Sequence, residues 1–186
     1  MQNSSLYIDG CWLINPKTVF IDNSRFLIGR MPALVALDFF ENYKAGGSYI
    51  PIINEDIVNS MMSFVYFIDF VEDDENYKRL NTTSKINKYV DNVEILLELE
   101  KHIVKHNTDF LNGRKEVKLY KKFNSAKYNY QNVHSGLAAL IAEKIATLHE
   151  LRTIYDYEDM LNMLEVIQVN KSNEAQAIEE AKKYQK

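Results

Sequence analysis

The stretch Thr18–Tyr43, TVFIDNSRFLIGRMPALVALDFFENY, decides how this chain folds. Thr18–Asp22 is rich in β-branched and aromatic residues and predicts a strand. Asn23-Ser24 predicts a turn. Arg25–Arg30 predicts the next strand, with Phe26 and Ile28 on one face and Leu27 on the other. Pro32 then occupies the first position of a helix, where a missing N–H loses nothing. Leu34, Leu37, Phe40 and Tyr43 make one stripe to bury, and Val35 and Phe39 add a second. Gly46-Gly47 ends this helix. A sheet therefore passes into a helix with no linker between them.

Toward the N-terminus, Asp9-Gly10 separates the apolar runs SLYI and CWLI and predicts a tight hairpin. Asn15-Pro16 predicts the end of the second strand. Toward the C-terminus, Tyr49–Ile53 predicts a short extended run. Asn54 predicts the cap of a helix reaching about Val71, with Ile57, Met61, Phe64, Val65 and Ile68 at helical spacing. That helix should end at the acidic run Glu72–Glu75, followed by a polar connection. Ser84 predicts the cap of a long helix through about Phe110, closed by Asn112-Gly113. Residues 114–132 are basic, rich in Tyr and irregular. Ser135 predicts the cap of a helix carrying Leu137, Leu140, Ile141, Ile145 and Leu148, and Asp156 the cap of a shorter one holding Met160, Leu161, Leu164 and Ile167. Asn170 and Ser172 predict a break before a last, mainly polar helix with Ala175, Ile178 and Ala181 on one side. Its stripe is too narrow for it to fold alone, so it is expected to dock on this chain or on a partner.

The expected fold class is therefore α+β: a small N-terminal antiparallel sheet of two hairpins, then a mostly helical body of five to six helices. A chain of 186 residues fits one domain. Residues 1–31 form the sheet, 32–168 the helical body and 170–186 a C-terminal helix.

Composition narrows the function. The net charge of −4 is too small to imply a polyanionic partner or a membrane surface. The one cysteine, Cys11, rules out an intramolecular disulfide and suits a reducing compartment. The first ten residues lack a basic segment followed by an apolar one, so no signal peptide is expected. Ile57–Val71 is too short and too interrupted by polar residues to span a bilayer.

Catalytic patterns are missing. The chain has no nucleophile elbow, no P-loop and no dinucleotide fingerprint. Glu98, His102 and His106 would share one helix face, a geometry fit for a metal ion, but the run HIVKH lacks the glutamate base of a zinc protease. These histidines are expected to be surface residues. The acidic run Asp69–Glu75 lacks the alternation of a calcium loop. Cys11, with no His or Asp near it in sequence, is expected to be a buried small hydrophobe. Gly29 is isolated and marks a bulge or strand end rather than a phosphate cradle. No enzymatic activity, cofactor or metal is expected.

Two binding surfaces remain. The Met-bearing stripes and the C-terminal helices offer apolar surface for another protein, through Met61, Met62, Phe64, Met160, Leu164, Ile167 and Ile178. Core packing competes as an explanation for these residues. The alternative is single-stranded nucleic acid on the basic, Tyr-rich tract, through Lys118, Lys121 and Lys122. No known nucleic-acid motif supports that reading, and nucleic acid is not expected to be the main partner.

The order of elements also resembles a family. The run TVFIDNSRFLIGRMPALVALDFF is similar to the opening of tail assembly chaperones of long-tailed bacteriophages. The resemblance lies in a short sheet, a junction of the G-R-x-P-A type (here Gly29, Arg30, Met31, Pro32 and Ala33) and a helix of small and apolar residues before a helical body. The run VKHNTDFL and the tail from Ile145 to Ala181 also resemble small phage tail and baseplate assembly proteins. The resemblance implies a non-enzymatic factor that binds the tape-measure protein, or other tube or baseplate proteins, in the host cytoplasm. It assigns no site residue by residue. A structural component of the tail or neck of the virion is the alternative within the same setting, and a nucleic-acid-binding regulator the alternative outside it.

Overall fold

The computed structural model describes residues 5–8, 11–45, 62–71, 74–90, 92–119 and 133–184. The chain is an α+β protein. Its strands are β1 (Ser5–Ile8), β2 (Cys11–Ile21), β3 (Ser24–Arg30), β4 (Val65–Val71) and β5 (Asp74–Arg79). They form one antiparallel sheet in the order β1-β2-β3-β4-β5. Its helices are α1 (Ala33–Ala45), α2 (Thr83–Tyr89), α3 (Val93–Thr108), α4 (Ser135–Ala142), α5 (Leu148–Thr153) and α6 (Tyr157–Tyr184), with a 3-10 turn at Asp109–Leu111.

The opening stretch organises this arrangement. Phe26 and Ile28 on β3 face the main core, and Leu27 faces the other side of the sheet. The chain reverses at Asp22-Asn23, where Asp22 takes a φ of 51° and Ile21 pairs with Ser24. Pro32 lies one residue ahead of α1, and its carbonyl accepts from the Ala36 N–H at 2.9 Å. On α1, Ala36 and Phe39 enter the main core, whereas Ala33 and Leu37 enter a second core with Leu137, Leu140, Leu151 and Met160. This helix is therefore buried on two sides and joins the sheet to the C-terminal helices.

Asn15-Pro16 does not end a strand. β2 runs through it with a bulge: Ile14 pairs with Arg30 and Lys17 with Ile28, so Asn15 and Pro16 together oppose Gly29. Asn15 takes a φ of 46°, which asparagine tolerates, and the bulge accommodates a proline that has no N–H for the ladder. Gly29 is a close approach as well as the bulge partner. A Cβ there would lie 2.8 Å from Leu13 Cγ.

The far face of the sheet buries Leu13, Leu27, Tyr66 and Ile68. Ile8 and Tyr77, from opposite edge strands, both pack on that cluster. Tyr66 Oη donates to the Ile8 carbonyl at 3.5 Å. The sheet thus curls until its two edges share one small core, as strong twist and a bulge favour.

Four helical expectations are corrected. Residues 65–71 form β4, not the end of a helix: Val65 and Phe67 face the main core and Tyr66 and Ile68 the far cluster. A strand buried on both faces reads as a continuous apolar run, which periodicity alone cannot tell from a helix. Asp74 and Glu75 of the acidic run accordingly lie in β5, which continues through the start of the polar segment to Arg79. The long helix from Ser84 is two helices. Thr82 caps α2 by accepting from Lys85 N at 3.4 Å, and Asn92 caps α3 by accepting from Glu94 N at 2.8 Å. The helix at Ser135, capped by His134, stops at Ala142, because Lys144 turns left-handed with a φ of 57°. Leu148 belongs to α5, which Thr147 and Glu150 start with a reciprocal capping box. Last, no break occurs at Asn170 or Ser172. α6 is one helix of 28 residues, and Ser172 is buried in it. Asn and Ser cost only about 0.5 kcal/mol each inside a helix, which packing overrides. The expected Asp9-Gly10 turn, Gly46-Gly47 stop, Tyr49–Ile53 run and Asn54 cap lie outside the described residues.

Candidate functional site

Arg30, at the end of β3, bonds to two helix ends. Its Nη1 donates to Asp156 Oδ2 at 3.0 Å and to Glu158 Oε2 at 2.6 Å, and its Nε donates to the His106 carbonyl at 3.2 Å. The Phe110 ring lies 5.7 Å from the guanidinium. Burial works against the Arg30 charge, and the hydrogen bonds to Glu158 and Asp156 more than offset it, so its pKa lies above the ordinary value. The placement follows from helix ends. His106 sits in the last turn of α3, where carbonyls lack partners, and Asp156 and Glu158 open α6, where negative charge is favoured. One guanidinium thereby bridges opposite poles of two helices.

The residues around it close the same junction. The bulge aims Asn15 into it: its Nδ2 lies 3.4 Å from Asp156 Oδ2, and its carbonyl accepts from His106 Nε2 at 2.7 Å. Burial, foremost, pushes the His106 pKa below its ordinary value, so the neutral ring carries its proton on Nε2. Buried Asn107 accepts from Met31 N at 2.8 Å and donates to the Ile103 carbonyl at 2.9 Å. Asp156 also caps α6, accepting from Asp159 N at 2.9 Å. These contacts lock Gly29–Ala33 to α3 and α6.

The expected partner surface is only partly present. Met62, Met160 and Ile167 are buried, the first in the main core and the others in the second. Phe64 and Leu164 are half-buried against those cores. Of the binding stripe expected on a 54–71 helix, the described members Met62 and Phe64 pack in or against the main core, and Val65–Val71 is a strand. Met61 lies outside the described residues. Among the described members of the set, Ile178 alone stands in solvent, 56% exposed, together with Val166 at 54% and Tyr184 at 91% on the same helix. Val166 and Val169 line a shallow groove of about 360 Å³ with Asn162, Glu165 and Asn170.

Of the nucleic-acid alternative, Lys118 is exposed, and Lys121 and Lys122 lie outside the described residues. The start of that tract is tied to α6: Arg114 donates to Asn162 Oδ1 at 2.8 Å and pairs with Glu165 at 3.0 Å. The histidine pair is divided. His102 lies 3.7 Å from Glu98, whereas His106 is turned into the junction and is not a surface residue. Among the described residues no group of three His, Cys, Asp or Glu side chains could hold a metal ion, and no helix is long and apolar enough to cross a membrane.

One cluster escaped the sequence reading. Lys78 and Arg79 on β5 and Lys85 and Lys88 on α2 line a common cavity. The signal available was the run YKR followed by KINK, with Lys85 and Lys88 one turn apart.

Together these features define an α+β protein with a curled sheet, a buried ionic junction between sheet and helices, and a long C-terminal helix that runs into solvent. No protein-family model, curated protein or solved structure matches the chain.

Proposed function

We propose that this chain is a non-enzymatic assembly factor that binds other proteins through α6, with phage tail proteins, the tape-measure protein foremost, as partners in the host cytoplasm. One observation carries the reading: α6 continues past its core residues Met160 and Ile167, the Lys171–Glu143 ion pair and buried Ser172, and beyond these Ile178 and Tyr184 stand in solvent. A helix with an unpaired apolar stripe gains stability by laying that stripe against another amphipathic helix. A tape-measure protein is long, helical and aggregation-prone, which is the partner the resemblance implies. The Gly29–Ala33 junction supports the reading indirectly, because it anchors the start of α6 and so presents its far end.

The test is co-expression with a candidate phage tape-measure protein. The expected result is a soluble complex that is lost with Val166→Asp/Ile178→Asp and kept with Lys182→Glu. A tape-measure protein that is equally insoluble with and without this chain would overturn the reading. Stoichiometric copies in purified particles would select a structural tail component instead.

A further inference from the structure

Lys78, Arg79, Lys85 and Lys88 line a cavity of about 490 Å³ together with Ile8, Asn76, Tyr77 and Tyr89. It opens where the curl of the sheet brings β1 against β5, next to α2. No carboxylate is among its described lining residues. Lys78, Lys85 and Lys88 are exposed, and none of the three pairs with a described carboxylate. Lys85 Nζ donates only to Asn81 Oδ1, at 3.3 Å, and Lys88 Nζ lies 5.1 Å from the Tyr89 ring centroid. The walls are held in place. Arg79 Nε donates to the Ser63 carbonyl at 2.8 Å, and Tyr89 stacks on Phe67 at 4.9 Å, which fastens α2 to the sheet.

Lysine on an edge strand deters pairing with other chains, and that accounts for Lys78. It does not account for Lys85 and Lys88, which reach the same cavity from a helix. Like charges gathered one helical turn apart repel, and here they are gathered in a chain of net charge −4. A multiply charged anion removes that repulsion. We propose that this cavity binds a phosphate-bearing ligand. A carboxylate brings one charge to three exposed lysines, whereas a di- or triphosphate, or successive backbone phosphates, brings several, and ammonium groups serve phosphate as point-charge donors. The proposal does not depend on α6 or on any protein partner.

The probes are inorganic triphosphate and a labelled single-stranded oligonucleotide, titrated into the full chain at low and at high salt. We expect binding that weakens as salt rises and falls by at least about tenfold in Lys85→Glu/Lys88→Glu, with Lys182→Glu/Lys183→Glu unchanged. Lys85→Gln/Lys88→Gln replaces the first variant if that one misfolds by circular dichroism. Binding of triphosphate that the oligonucleotide does not displace assigns the site to a free phosphorylated molecule, and displacement assigns it to a nucleic-acid backbone. No binding of either probe at low salt overturns the proposal. So does equal weakening by the α2 and α6 variants, or binding of a glutamate oligomer as tight as that of triphosphate.

Discussion

The two ends of α6 live under opposite rules. Its first turn is the most constrained place in the described chain: Asp156 is buried, caps the helix and takes Arg30 and Asn15, and Met160 and Ile167 follow into the second core. In its last three turns Ile178 is 56% exposed and Tyr184 is almost fully exposed. Polar groups at the start fix where the helix points, and Ile178 near its end stands in solvent. Buried and exposed positions differ in what surrounds each residue, since Ile167 and Ile178 are the same amino acid on the same helix.

The sharpest way to break that contrast is at the anchor. Asp156→Ala removes one partner of a buried ion pair and a helix cap together. The expected loss is about 3 kcal/mol or more in urea unfolding, with dissociation of α6 from the sheet visible as lost protection from hydrogen exchange. A loss below about 1 kcal/mol would mean that Glu158 alone holds Arg30 and that the junction is not the anchor. Next in size is Gly29→Ala. The new methyl would press on Leu13 Cγ at 2.8 Å, and Leu13 is itself buried, so the strands must part at the bulge. The expected cost is about 1–3 kcal/mol by the same measurement.

Much of this anchor was legible before the fold was seen. The capping role of Asp156, the facing of Phe26, Leu27 and Ile28, and the sheet-to-helix passage at Pro32 follow from local rules and survive intact. The failures have physical reasons. Val65–Val71 is apolar on both sides because it lies between two cores, and so its two-residue period is invisible. Lys144 stops α4 in a left-handed conformation without a glycine, while the capping box at Thr147 and Glu150 was readable and went unread. Arg30 stood out only as part of the Gly29–Ala33 junction, and nothing local marked its ionic role. Its partners lie 76 to 128 residues away, and only the meeting of a strand end with two helix ends makes it central.

A third expectation concerns pH at the junction. Burial, with Arg30 and Lys17 adding to it, lowers the His106 pKa below its ordinary value near 6.5, while the Asn15 carbonyl and Asp109 act the other way. Above about pH 6.5 the ring is neutral in both the folded and unfolded states, and nothing is lost. As pH falls below that, the unfolded chain takes a proton that the folded chain resists, so stability declines. His106→Gln keeps a donor for the Asn15 carbonyl and no longer titrates. Its unfolding free energy should fall less steeply than wild type between about pH 6.5 and pH 5. Parallel curves would show that His106 protonates freely in the fold.

The smallest expected effect lies at the free end. Ile178→Asp should change unfolding free energy by no more than about 0.5 kcal/mol, because an exposed side chain gives up little on mutation. The same change at Ile167 would bury a charge and should prevent folding. If Ile178→Asp costs as much as a core substitution, the end of α6 already packs on something, a second copy of this chain being the simplest case. Sedimentation of wild type and variant at several concentrations separates the outcomes. A concentration-dependent shift in the wild type alone assigns Ile178 to self-association, and identical profiles are what the proposed binding of a different protein expects.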